Sequence, residues 1–211
     1  MNTEHRGSRI SSVLVRSAAR GSQSGQRGVT VIELMVTLAI GAVVLGLAVP
    51  GLQESAVRTR LDSAAQEFFT SAQFARSEAI RLGEEVTLRR NATTASGNWE
   101  NGWTIFVDAN GNGVLDAGEQ VIRDGAPLMA PLSLNASAGV SDFLTFNRDG
   151  RPTRGGGAFV LCHGPSLTEG AQPRSRAVLI NGAGNVRMAQ DTDKDGVPET
   201  DAGPASSCTN P

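Results

Sequence analysis

The chain has 211 residues, a formal net charge of −2, 25 Gly, 7 Phe, 2 Trp and no Tyr. That length holds a membrane helix plus one compact domain, but not comfortably two domains. One His lies beyond residue 28, and there is no Gly-x-Ser-x-Gly elbow and no Walker-type loop. A Gly182-x-Gly184 stretch carries Arg187 where a dinucleotide fingerprint needs its third Gly, so no enzyme is expected.

Residues 1–28 carry five Arg and one Glu, which leaves a net −6 on the remainder. This segment, rich in Ser, Gly and Arg, reads as an unstructured leader. Arginines ahead of an apolar segment hold that end in the cytoplasm, so the rest should face outward. Residues 29–49 follow as an apolar run with a single ionisable group, Glu33. The run is long enough to cross a bilayer, which takes about 20 residues. A carboxylate there costs roughly 2.5–3.5 kcal/mol even on lenient insertion scales. An amine at the same depth would offset that cost, and a cut between Gly28 and Val29 would create one four residues from Glu33. Two alternatives exist: a secretory signal cut near Ala48, and a plain signal-anchor. The first is at odds with an apolar run longer than about 15 residues. The second explains neither Glu33 nor Pro50.

Beyond Pro50 the positions Val57, Leu61, Ala65, Phe68, Ala72, Ala75, Ala79 and Leu82 recur at three- and four-residue steps. They predict an amphipathic continuation of the same helix over residues 50–83, capped by Gly83. The whole helix would be about 80 Å long, with a kink at Pro50. Strands are expected at 85–90, 103–108, 120–123, 143–147, 158–162 and 177–181, with a further one at 185–189. A mostly antiparallel β-sheet domain over residues 84–189, with the helix packed on one face, is an α+β architecture. Residues 190–211 form a polar, turn-rich tail.

Cys162 and Cys208 are the two cysteines. In an oxidising compartment they read as a disulfide tying the tail back. The rival is a metal site with His163, which falls short of four ligands.

Gly28, the stretch Val29-Thr30-Val31-Ile32-Glu33 and Pro50 resemble the N-terminal signature of type IV prepilins and type II secretion pseudopilins. The resemblance implies cleavage after Gly28 by a prepilin peptidase and N-methylation of Val29. It also implies a single-pass inner-membrane anchor with the C-terminal domain in the periplasm, and assembly with other pilin or pseudopilin subunits through Glu33 and the apolar helix. Three stretches, 69–80, 102–108 and 143–151, are similar to the H-type minor pseudopilins of type II secretion and to the FimT/FimU minor pilins. They imply a low-abundance subunit that primes a pseudopilus or pilus for protein secretion or pilus biogenesis. The alternative implied by that likeness is a FimT-like, DNA-binding minor pilin for DNA uptake. The Gly-Arg-x-Arg pattern of such proteins is here Gly184-Asn185-Val186-Arg187, with Asn185 in place of the first arginine. Arg174 and Arg176 are the neighbouring cations. Against nucleic acid stand the net −6 and an acidic tail.

No cofactor is required, but two loops fit a calcium template in part. Asp108, Asn110, Asn112, Val114, Asp116 and Glu119 have the full spacing. Strands rather than helices flank them, and Asx-Gly residues also close tight hairpins without an ion. The resembling subunits carry similar loops here, which favours a hairpin. Asp191, Asp193, Asp195, Val197 and Glu199 have the first half of the spacing, with Ala202 at the twelfth position. These carboxylates repel one another unless water or a cation relieves them.

Overall fold

The structure is a computed structural model that describes residues 28–91 and 98–209, apart from the side chain of Pro50. All but Gly28 of the leader expected over residues 1–28, and the kink expected from the Pro50 ring, fall outside that description. By packing, the chain divides into two units, residues 1–46 and 47–211.

In the first unit, helix α1 (Val31–Leu82) begins. Thr30 is its N-cap: the Thr30 hydroxyl oxygen accepts a hydrogen bond from the Glu33 backbone N–H at 3.2 Å. The sequence Thr30-Val31-Ile32-Glu33 has the spacing of a capping box. The apolar side chains of this segment are exposed all round, from Val31 to Leu45. Mean hydropathy over its most apolar window is 2.4, with none of that window buried.

The second unit begins at residue 47 and contains the rest of α1. Here Leu61, Ala65, Phe68, Ala72, Ala75 and Ala79 are all fully buried, spaced four, three, four, three and four residues apart. Small Ala residues at these steps let the helix approach the strands closely, and Phe68 fills the centre. Leu82, expected in the same stripe, is instead partly exposed at the helix end.

The strands are β1 (Val86–Arg90), β2 (Trp103–Val107), β3 (Val121–Gly125), β4 (Leu132–Ala136), β5 (Phe143–Phe146), β6 (Gly157–His163), β7 (Thr168–Glu169), β8 (Gln172–Pro173), β9 (Ser175–Ile180), β10 (Val186–Met188), β11 (Glu199–Thr200) and β12 (Gly203–Pro204). A 3-10 turn, Ala138–Val140, precedes β5. They form two four-stranded sheets, not the single sheet expected. The first has the order β3-β2-β1-β5, the second β10-β9-β6-β4, and β7-β8 and β11-β12 are separate hairpins. All strand pairings among the described residues are antiparallel, for example Val86 opposite Val107 and Phe159 opposite Val178. The architecture is α+β.

One core is shared by the buried helix stripe and the inner residues of both sheets. At its middle the Phe68 ring packs edge-on against Trp99 and Trp103, with centroids 5.8 and 5.2 Å away, and lies 4.4 Å from Phe159. Rings of this size fill the space beside a helix stripe otherwise made mostly of Ala. The hairpin tip at residues 181–185 closes against the turn at 147–151. A Cβ on Gly184 would lie 1.9 Å from the Gly150 carbonyl oxygen, and its φ of +81° already favours glycine.

Candidate functional site

At the N-terminus, Gly28 and Val29 precede the helix cap and are exposed. Glu33 sits in the first turn of α1 and has no ion-pair partner among the described residues. Thr30 was missed as a cap, although its spacing to Glu33 was readable. Val29, Val31, Ile32, Leu34 and Met35, around this site, are each more than half exposed. An exposed apolar helix carrying one acid has nothing to catalyse; what it can do is insert into an apolar medium or pack on other helices.

The second sheet is buried on both faces. Phe159, Leu161, Val178 and Ile180 face the shared core, while Ala158, Val160, Cys162, Ala177 and Leu179 face a second cluster with Ala205 and Cys208. Cys162 and Cys208 are joined by a disulfide. The Asn135 side-chain amide donates to the Cys208 carbonyl at 2.7 Å, which fixes the tail at the same place. His163 stands beside Cys162, but the thiols are consumed by the bridge and the metal alternative has no ligands left from them.

The 108–119 loop covers the outer side of the first sheet. Asp108 is fully buried. It accepts hydrogen bonds from the Thr87 hydroxyl at 2.6 Å and from the backbone N–H groups of Asn112 and Gly113, and Thr145 extends the network through Thr87. Asn110 and Asn112 donate their side-chain amides to Asp116, which holds that carboxyl below its ordinary value. Glu119 accepts from the backbone N–H groups of Ala109 and Asp116. The Val114 N–H donates to Asn112. Every carboxylate of this loop therefore has protein donors.

In the tail, carboxylate oxygens of Asp191, Asp193 and Asp195 converge within 4.8 Å of one another. Asp191 accepts from the N–H groups of Asp195 and Gly196, and the Val197 N–H donates to Asp195. Burial pushes the Glu199 carboxyl up, but hydrogen bonds from Thr192 and the Asp193 N–H outweigh it and hold the group below its usual range.

The three arginines named for nucleic acid do not make a free cationic patch. Arg174 is buried between Glu54 and Glu169, Arg176 donates to Asp62 at 2.6 Å, and Arg187 pairs with Asp201. No finding supports DNA binding.

Residues 64–184 match the family described as "Type II transport protein GspH", and residues 23–49 match the "Prokaryotic N-terminal methylation motif". Pilin-like protein PilA1 of Thermus thermophilus is 40% identical over 95 residues, which are 45% of this chain and 56% of that protein. The chain thus spans little more than half the length of that relative. The crystal structure of the type IV minor pilin FimU of Pseudomonas aeruginosa superposes with a TM-score of 0.52 at 24% identity, covering 72% of this chain and 96% of FimU. That likeness is one of fold.

Proposed function

The chain belongs to the family of the type II transport protein GspH, and from that premise we propose that it is a minor pilin-like subunit. It is cut between Gly28 and Val29 by a prepilin peptidase, methylated on Val29, and held in the inner membrane by residues 29–49. The leader stays in the cytoplasm and the C-terminal domain enters the periplasm. The subunit then joins other pilin or pseudopilin subunits in a filament of the type II secretion or type IV pilus kind.

The observation that carries this reading is the contrast along α1. Its first turns present apolar side chains in every direction, while the domain from Leu61 onward has a closed core of its own. Such a segment gains its burial from lipid or from neighbouring helices. Glu33 neutralises the Val29 amine on the same or an adjacent subunit. A buried ion pair adds little net stability, but leaving one partner alone costs about 3–5 kcal/mol. The pair therefore selects the register at which a subunit is accepted.

The test is mass spectrometry of the protein recovered from its host's membranes. The expected N-terminus is Val29 bearing one extra methyl group; a chain with residues 1–28 still attached would overturn the reading. Glu33→Val should leave membrane insertion intact and reduce incorporation into filaments at least about tenfold, as loss of more than 1.4 kcal/mol requires.

We further propose a structural calcium ion at Asp191, Asp193 and Asp195, supported by the convergence of their oxygens within 4.8 Å. Oxygen-rich sites of this type suit calcium. The 108–119 loop is proposed to close without one.

A further inference from the structure

The stretch of α1 just ahead of the core is held to the domain in an unusual way. From Glu54 to Arg60 only Glu54 and Val57 are partly buried, and the first fully buried side chain is Leu61. Glu54, Arg58 and Asp62 lie four residues apart, on one helix face. Each reaches the extended segment 172–176: Glu54 pairs with Arg174, the Arg58 guanidinium donates to Gln172, and Asp62 accepts from Arg176 at 2.6 Å. The three receiving residues alternate along the chain, so they share one side of the strand. Arg174 is also gripped by Glu169, across the β7-β8 hairpin, at 2.8 Å. Polar side chains, with Val57 as the one apolar contact to the core, fasten this part of the helix where apolar packing fastens the rest.

The fastening is incomplete. The Arg174 Nη1 and Glu54 Oε2 atoms are both buried and lack a hydrogen-bond partner among the described residues. An unsatisfied buried charged atom opposes the closed arrangement. Of the helix acids that hold the two arginines, Asp62 is largely exposed, at 59%, and Glu54 is one-third exposed, at 33%, so dissolved ions reach and screen both pairs. A contact that closes with orphaned atoms and opens into water is poised near balance.

We propose that residues 54–60 form a releasable polar clasp. They dock on the 172–176 segment at low ionic strength and separate from it when screened, while the helix from Leu61 and both sheets stay folded. The purpose assigned to the clasp rests on the proposed function: it would free the helix turns between the apolar segment and the core as a subunit passes from membrane to filament. Its mechanics do not rest on that reading.

Hydrogen exchange read by mass spectrometry on the full chain in detergent micelles tests it, at about 20 mM and about 500 mM sodium chloride. Amides of residues 54–60 are expected to exchange about tenfold faster at the higher salt, with residues 65–79 unchanged, as for a local opening. Arg174→Gln should reproduce the acceleration at low salt, and Asp62→Asn should do so in part. If residues 54–60 exchange at the same rate at both salt concentrations in the unaltered chain, the clasp is overturned. It is equally overturned if residues 65–79 accelerate together with 54–60, since the helix then opens as one unit. Neither outcome depends on N-terminal processing, which mass spectrometry of the mature terminus reads separately.

Discussion

Two loops of nearly the same composition cover the outer faces of the two sheets, and they do it by opposite means. The 108–119 loop closes over β1 and β5 through a buried carboxylate: Asp108, ringed by Thr87 and two backbone N–H groups. The tail from 190 onward closes over β6 and β9 through an apolar cluster and a covalent bridge, and leaves its three aspartates crowded in solvent. The first loop needs its acid for folding. The second uses its acids to close an exposed turn, where they accept backbone N–H groups and stay in solvent. A shared Asx-Gly spacing is thus a statement about turn geometry, and the fate of each carboxylate decides what the loop does.

That contrast can be broken at several points. The largest effect is expected from Cys162→Ala with Cys208→Ala. The bridge closes a separation of 46 residues, so its loss should lower unfolding stability by about 4 kcal/mol in the loop-entropy account, read by denaturant titration of the oxidised chain and the double variant. Asp108→Ala should cost about 2–3 kcal/mol, because it strands the buried Gly113 N–H and takes away the Thr87 hydroxyl's acceptor, leaving that hydroxyl Thr145 alone. The matching change in the tail, Asp193→Ala, should cost less than about 0.5 kcal/mol without calcium. Equal losses from the two substitutions would erase the difference between the two loops. The shift from calcium itself should fall between those two losses. A site with an affinity of 10⁻⁴–10⁻³ M, common in extracellular modules, gains about 1–2 kcal/mol at ~5 mM ion. The melting temperature should rise accordingly in the unaltered chain and not in Asp193→Ala; no rise at that concentration removes the tail site.

The sequence shows the helix clearly because its signal is local. Leu61, Ala65, Phe68 and their successors are a few residues apart, and periodicity finds them. Strand β4 is harder, since Leu132-Ser-Leu-Asn-Ala136 sits between Pro131 and a Ser-Ala-Gly turn and mixes polar with small residues. The division into two sheets was legible in principle. β6 and β9 are unbroken apolar runs, Ala158 to Cys162 and Ala177 to Ile180, and a run without alternation belongs to a strand covered on both sides. The partners of the arginines are hidden in the sequence for a different reason. Arg174 and Arg176 look like a cationic pair in sequence, but Glu54 and Asp62, which engage them, stand 120 and 114 residues away. Long-range pairing of charges leaves no periodic trace. Trp99 escaped notice because it lies among Asn and Glu, yet it closes the ring cluster around Phe68.

The Thr30 cap has an electrical consequence. A chain beginning at Val29 would place its ammonium one residue outside a helix whose first N–H groups already form the positive end of the backbone dipole. Methylation leaves that ammonium charged. Glu33, inside the first turn, is then the single negative group facing two positive ones. Its removal would leave the leading tip of the subunit a concentrated cation, repelled by the tip of every other subunit it approached in lipid.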